Sequence, residues 1–372
     1  MYLKQISIRN FKNIEKADLS FGKKINCISG NNGEGKTNLL DAIYYMSMTK
    51  SYFNSSDSYS YRNGSDFFSL NGRYTMEDSS QETVTAVSKK DTGKVIRKNG
   101  KIYKRLSDHI GEFPIVMVAP TDGILINGVA EERRKFMNAL LSQIDNGYLK
   151  RVQNYNQLLQ QRNRLLKNDA PDRELLSAID SGMSSNGYYI YNKRKELCLS
   201  LMDLASLVYS KLSGDKESIS IDYSSDLESG GNVPGEKTLE GIFVNNYEKD
   251  RFLRYTTAGI HRDDIDFSMG GMPIRKFGSQ GQQKCFLIAL KLAQFSLMRK
   301  IRSSVPILLL DDVFDKLDMK RVEYLLSLVA EKEFGQIFIT DSNKVRLSKI
   351  LGEISGDNCS FEVSAGIYSI AK

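Results

Sequence analysis

The chain has 372 residues, a net charge of +7, 41% hydrophobic and 26% charged residues, four cysteines and two histidines. That length suggests roughly two domains, with apolar content enough for a core that needs neither disulfides nor a structural metal, and the scattered cysteines and scarce histidines argue against a disulfide framework, a zinc site or Ser/His/Asp chemistry. No apolar run approaches the ~18 residues of a membrane span, and residues 1–5 enter a strand-like alternation without a signal-peptide pattern, so a cytosolic protein is expected.

In chain order, Leu3, Ile6, Ile8 and Phe11 read as a strand, 17–21 as another, and 25–29 as a strand running into a glycine-rich loop. Residues 39–48 then read as a helix, which completes a strand–loop–helix unit. Residues 67–104 read as antiparallel strands, with Asn99-Gly100 as the turn between Val95-Ile96 and Ile102-Tyr103. Residues 115–119 form a short buried strand ending at Pro120. From 131 to 212 the pattern is helical, with Leu149, Val152, Tyr155, Leu158, Leu159 and Leu165 on one face. Asn168-Asp169-Ala170-Pro171 breaks it into an antiparallel arm, too short for a long coiled coil. A Gly/Ser-rich loop follows at 224–235, then a helix at 239–255, a strand at 265–267 and a long, mostly apolar helix at 281–302. The last expected elements are a buried strand at 305–310, a helix at 319–331 and a strand at 336–340.

Gly30-Asn31-Asn32-Gly33-Glu34-Gly35-Lys36-Thr37 fits G-x-x-x-x-G-K-[ST] in the strand–loop–helix setting that motif needs. Its backbone N–H groups and the helix N-terminus suit phosphate. Lys36 is expected on the β- and γ-phosphates of ATP, and Thr37 on Mg²⁺. Ile307-Leu308-Leu309-Leu310-Asp311-Asp312 is an apolar strand ending in acid. Asp311 is expected to hold Mg²⁺, and Asp312, with Lys36, to serve catalysis. Asp312 stands where many such enzymes carry the longer Glu, so slow hydrolysis is expected. Ser279-Gln280-Gly281-Gln282-Gln283 opens the long helix and matches the ABC signature, a second anion site at a helix N-terminus. Asp318, after Asp311-Asp312, matches the D-loop. The resemblance to ABC ATPases implies that Ser279, Gly281, Gln282 and Asp318 face a nucleotide held by a second copy, so an ATP-driven homodimer is expected.

Gly259-Ile260-His261-Arg262-Asp263-Asp264, Ser279-Gln280-Gly281-Gln282-Gln283-Lys284, Ala289-Leu290-Lys291-Leu292-Ala293 and Asn10-Phe11-Lys12-Asn13 together resemble the RecF family, across nearly the whole chain. Arg133-Arg134 and the segment 161–167 add to the resemblance. It implies an ABC-type P-loop head: an α/β lobe with an antiparallel β subdomain (1–125 and 303–372) and a mainly helical lobe (126–302). It also implies a weak DNA-dependent ATPase that uses ATP as a switch in recombinational repair, at gapped DNA and single-/double-strand junctions, with RecR and RecO as partners and no membrane. Lys12 joins the expected nucleotide-binding set on this ground.

Two departures stand out. ABC ATPases generally place a Gln after the strand that here ends in Ala119-Pro120-Thr121-Asp122, and a His where this chain has Thr340-Asp341; Asp122 is the nearest replacement for the Gln. His261, Arg262, Asp263 and Asp264 could be read as a metal site, but structural ion pairs are the preferred reading. For DNA phosphates the candidates are Lys98, Lys101, Lys104 and Arg105 in a stretch (89–105) with eight bases and one acid, and Lys150 and Arg151, with Arg162, Arg164 and Lys167, on the first long helix. A transporter nucleotide-binding subunit and an ATP-dependent nuclease head are the alternatives.

Overall fold

Alternation makes β1 (Tyr2–Phe11) a one-sided strand, with Leu3, Ile6, Ile8 and Phe11 buried. It turns at Lys12, φ 52°, into β2 (Ile14–Ser20). β3 (Ile25–Ser29) is buried along its whole length and leads through the glycine-rich loop to α1 (Lys36–Met48). Then come β4 (Phe67–Thr75), β5 (Gln81–Lys89), β6 (Gly93–Lys98), β7 (Lys101–Ile102) and β8 (Ile115–Val118). The Asn99-Gly100 turn has φ of 50° and 80°, as a two-residue hairpin between right-twisted strands requires.

The protein is described here from a computed structural model, at residues 1–371 except 169, 215, 216, 232, 303, 316, 332, 354 and 355. It divides into two units: Met1–Asp122 with Leu287–Lys372, and Gly123–Phe286. Asp169 of the expected helix break and Lys316, in the Phe314-Asp315-Lys316-Leu317-Asp318 segment expected as the D-loop, lie outside the described residues.

The second unit begins with α2 (Ile124–Asn127), α3 (Ala130–Ile144), α4 (Asn146–Leu165) and α5 (Arg173–Ser213). Asp145 and Asp172 cap α4 and α5 through side-chain acceptors. Arg162 near the end of α4 meets Asp180 early in α5, and Asp145 at the start of α4 meets Tyr189 farther along, so the two helices run antiparallel. At 41 residues α5 is about 60 Å long. β9 (Ile219–Ser224), α6 (Glu236–Asn245), α7 (Tyr247–Leu253), β10 (Asp264–Met269), β11 (Met272–Pro273), α8 (Ile274–Phe277) and the start of α9 (Gln280–Ile301) complete the unit, with the sheet order β11-β10-β9. The helix expected at 239–255 is two helices. Asn246 ends the first by turning its own amide back onto the Ile242 carbonyl, 2.8 Å, and buried Asp250 draws the second toward Arg162.

Past α9 the chain adds β12 (Ile307–Asp311), α10 (Met319–Ala330), β13 (Ile337–Asp341), α11 (Lys344–Glu353), β14 (Cys359–Ser364) and β15 (Ile367–Ile370). The first unit thus holds two six-stranded sheets. One is antiparallel, β2-β1-β4-β5-β6-β7; the other runs β15-β14-β3-β13-β12-β8 and is parallel except for β15. α1 touches β1 and β4 of one sheet and β12 and β13 of the other. A helix covered on both sides needs apolar residues all round, hence Leu39, Leu40, Ala42, Ile43 and Met46, all essentially buried. Phe11, Tyr45 and Phe68 pack edge to face, with centroids 5.3 to 6.0 Å apart, and join α1 to the antiparallel sheet.

Candidate functional site

The site grows from the join of β3 and α1. Gly35 caps α1 with φ 119°, a conformation that L side chains rarely adopt. At Gly30 a Cβ would stand 2.5 Å from the Val363 carbonyl oxygen, so only glycine fits against β14. Gly33 is exposed with φ 84°, and a Cβ there would meet nothing within 4 Å, so its glycine answers to backbone conformation rather than to space. Lys36 curls over the loop and donates to the carbonyls of Gly30 (2.8 Å) and Asn31 (3.1 Å) and to Asn32 Oδ1 (3.3 Å). An ammonium, a helix N-terminus free of acids in its first turn, and a glycine-shaped loop make a cradle that fits a phosphate group.

The end of β12 meets this cradle. Thr37 Oγ1 lies 3.0 Å from each carboxylate oxygen of Asp311, although 274 residues separate them. A hydroxyl beside a buried carboxylate is a donor set suited to a hard divalent cation. Burial pushes the Asp311 carboxyl up from its ordinary value, and hydrogen bonds from Thr340 and Thr37 pull it partly back. Asp312 follows with φ 45°, a left-handed residue with a side chain. Sequence reasoning assigned no role to Thr340. The β12/β13 register sets it beside Asp311; its hydroxyl donates to Asp311 Oδ1 (2.7 Å) and accepts from the Asp312 N–H (3.0 Å). No local motif marks it, since its role comes from the register of neighbouring strands.

Lys12 lies next to the loop but is committed: its ammonium is 2.6 Å from the fully buried Asp41, which also accepts from Ser51 Oγ and Tyr52 N. Its neighbour Asn13 is the better placed, donating to the Glu34 carbonyl (3.1 Å) and accepting from Asn38 (2.7 Å). Asp122 does not replace the absent Gln. It is buried, ion-paired to Lys291 (3.2 Å), bonded to the Tyr52 hydroxyl and accepts from its own Ala119 N–H. Asp341 is likewise engaged, by Arg346 (2.9 Å) and the Asn343 N–H at the start of α11.

In the second unit, Ser279 and Gln282 form a reciprocal capping box at the start of α9: Gln282 N donates to Ser279 Oγ (3.3 Å), and Ser279 N to Gln282 Oε1 (2.7 Å). Gln282 also reaches Glu217, and Gln283 binds the Gly278 carbonyl and Asn127. Ser279 stays exposed and Gly281 is half-buried. In the first unit, Asp318 is exposed and caps α10 through the Arg321 N–H, 3.0 Å.

The His261-Arg262-Asp263-Asp264 run is held in place by ion pairs. Asp264 takes a two-pronged bond from Arg133 (2.6 and 2.9 Å), Asp263 pairs with buried Arg194 (3.0 Å), and Arg134 binds the Asp263 carbonyl (2.7 Å). His261 accepts from the Tyr155 hydroxyl and donates to the Thr256 carbonyl, and burial pushes its pKa down to about 4. Among the described residues no group of three or more His, Cys, Asp or Glu is placed to hold a metal.

The basic candidates separate. Lys98 is bound between Glu82 (3.0 Å) and Glu112 (2.6 Å), Lys94 pairs with Asp57, and Lys90 with Asp66. Folding brings four acids to a stretch that shows one in sequence. Lys101, Lys104 and Arg105 are exposed. Arg162 is removed from the candidates: it is fully buried and pairs with Asp180 and Asp250, both at 2.6 Å. Lys150, Arg164 and Lys167 are exposed, and Arg151 stacks on the Tyr189 ring at 5.4 Å.

Residues 2–355 match the family model described as the RecF/RecN/SMC N terminal domain. The chain is 42% identical over 370 residues to the DNA replication and repair protein RecF of Bacteroides thetaiotaomicron, covering 99% of this chain and 98% of that one. It is 44% identical over 368 residues to the RecF of Phocaeicola vulgatus, covering 98% and 97%. A solved structure of the recombination mediator protein RecF with ATP, of the RecFOR pathway, superposes with a TM-score of 0.90 at 29% identity, covering 100% of this chain and 98% of that one. The Smc head domain of Pyrococcus furiosus shares the fold, with a TM-score of 0.58 at 18% identity over 100% of this chain and 96% of that one. The ABC-type head expected from the motifs is therefore the fold observed, and no helix among the described residues is long and apolar enough to cross a membrane.

Proposed function

The chain belongs to the RecF family of DNA replication and repair proteins, and from that premise we propose that it is an ATP-operated switch that binds DNA. The observation that carries this reading is the meeting of Thr37 with both oxygens of Asp311, beside a lysine-crowned glycine loop. In this reading the 30–37 backbone and Lys36 hold the β- and γ-phosphates of ATP. Thr37 and Asp311 would hold Mg²⁺, which would supply charge neutralisation for the phosphates. Asp312, one methylene shorter than Glu and fixed at its backbone by Thr340, orients the attacking water and accepts its proton from some distance, so hydrolysis is slow and serves release.

In this reading each compact unit serves as one lobe of the head, with the division inside α9 at 286/287 rather than at the expected 302/303. Ser279, Gly281 and Gln282 offer a helix N-terminus to the nucleotide held by a second copy, and Asp318 belongs to the same shared site. Two nucleotides would then close a homodimer. The dimer engages gapped DNA through exposed cations such as Lys101, Lys104, Arg105 and Lys150, which neutralise phosphates without reading bases. The relatives' place in the RecFOR pathway makes RecO and RecR the partners proposed for this chain, with recombination loading as the outcome.

The test is light scattering of the protein with ATP and Mg²⁺. Wild type should shift from monomer to dimer mass. Ser279→Arg, at an exposed cap, should bind ATP with wild-type affinity and stay monomeric; dimerisation of that variant at wild-type ATP concentrations would refute the shared-site reading.

A further inference from the structure

A loop that turns its N–H groups inward to a phosphate must turn carbonyls outward, and those carbonyls need donors of their own. At residues 34 and 35 the far end of the chain adds donors to those of α1, whose Asn38 N (3.0 Å) and Leu39 N (3.2 Å) already donate to the Gly35 carbonyl. Gly366 N donates to the Glu34 carbonyl (2.8 Å), and the Tyr368 hydroxyl donates to the Gly35 carbonyl (2.8 Å). Ala365 N donates to the Glu34 carboxylate. Asn13 also donates to the Glu34 carbonyl, 3.1 Å. The donors sit in a tight hairpin. Ser364 pairs with Ile367 across Ala365-Gly366, with φ of 48° and 78°. The fit is close: a Cβ at Gly366 would lie 2.7 Å from the Asn13 carbonyl oxygen, and one at Gly30 would strike Val363 on β14. Burial holds the Tyr368 phenol well above its ordinary value, so it is a donor throughout the neutral range.

We propose that the β14–β15 hairpin is a positioning clamp for the phosphate loop, with Tyr368 as its principal side chain. It holds Glu34 and Gly35 in the phosphate-accepting shape before any nucleotide arrives. The inference rests on the ATP-binding reading above. Tyr368 touches no reacting atom in this account; it acts through the Gly35 peptide. Because residues 34 and 35 lead into the loop's anchor at the start of α1, the clamp serves ATP and ADP alike, and a group acting on the γ-phosphate would not.

The test is titration of a fluorescent ATP analogue, and of ADP by competition, into wild type, Tyr368→Phe, Asn13→Ala and Lys36→Ala, well below the melting temperature. Tyr368→Phe removes one oxygen and should weaken ATP and ADP equally, by about fivefold, the worth of one hydrogen bond. KM for ATP should rise by a similar factor with kcat little changed. Asn13→Ala, which removes a second donor from the Glu34 carbonyl, should do the same. A purely structural role for the hydroxyl would lower the melting temperature and leave both affinities within twofold of wild type, which overturns the clamp. Loss of ATP affinity alone overturns it too. Wild type binding no better than Lys36→Ala would instead refute the nucleotide reading, and the clamp with it.

Discussion

Thr340→Val tests how the two adjacent aspartates are held. Valine keeps the shape of threonine and removes the one hydroxyl that joins the Asp311 carboxylate (2.7 Å) to the Asp312 N–H (3.0 Å). Thr340 is fully buried, so water does not replace it. A hydrogen bond to a charged group contributes about 1.5–3 kcal/mol. Asp311 keeps Thr37 as a partner, which favours the lower end of that range, so the loss should be about 2 kcal/mol. Asp312 also sits at φ 45°, a region that costs a side-chain-bearing residue about 1–2 kcal/mol. Freed from Thr340, that peptide can relax and carry the Asp312 carboxylate away from its place, and ATP turnover should fall about tenfold or more. Urea unfolding gives the stability, a phosphate-release assay gives the turnover, and Thr340→Ser, which keeps the hydroxyl, is the control. If Thr340→Val unfolds and turns over like Thr340→Ser, the two bonds do not hold the aspartates and the reasoning fails.

Two further outcomes follow from the second unit. Half-buried His261 is held neutral, its folded pKa pushed down to about 4, chiefly by desolvation, against an ordinary value near 6.5. The unfolded chain therefore binds the extra proton first; the stability His261 contributes is full above about pH 6.5 and is lost as pH falls toward 4, about 2 kcal/mol of it by pH 5. Urea midpoints of His261→Gln and wild type across that window should converge as pH falls; a gap that is constant with pH would contradict the assignment. Arg162→Met leaves Asp180 and Asp250 as buried carboxylates without their cation, and should cost about 3–5 kcal/mol, insensitive to added salt; denaturation in low and high salt checks both parts.

Local patterns made much of this molecule legible. The alternation of β1, the solid apolar runs of β3 and β12, and the Asn99-Gly100 turn each state their structure within a few residues, and the 30–37 motif announces the glycine-shaped loop between β3 and α1. What escaped depends on distant chain. Thr340 matters because of strand register. Lys98 looked available because its acids, Glu82 and Glu112, lie outside the basic stretch. Arg162 looked like a surface cation because nothing nearby in sequence announces Asp250. Asp122 stood where a Gln was expected, but Lys291 and Tyr52 claim it. Two signals were present and went unread: the Ile219, Ile221, Tyr223 alternation of β9, and Phe361, Val363 followed by Ala365-Gly366, which is the hairpin that closes on the phosphate loop.

The central claim is that nucleotide governs DNA binding. Fluorescence anisotropy of labelled gapped and plain duplex DNA, with and without ATP and Mg²⁺, tests it directly, with Lys36→Met as the control. The account predicts that ATP tightens binding in wild type and not in Lys36→Met, and that salt weakens the tightened complex, as contacts made to phosphates require. DNA binding that is equally strong without ATP, or unchanged in Lys36→Met, would contradict it.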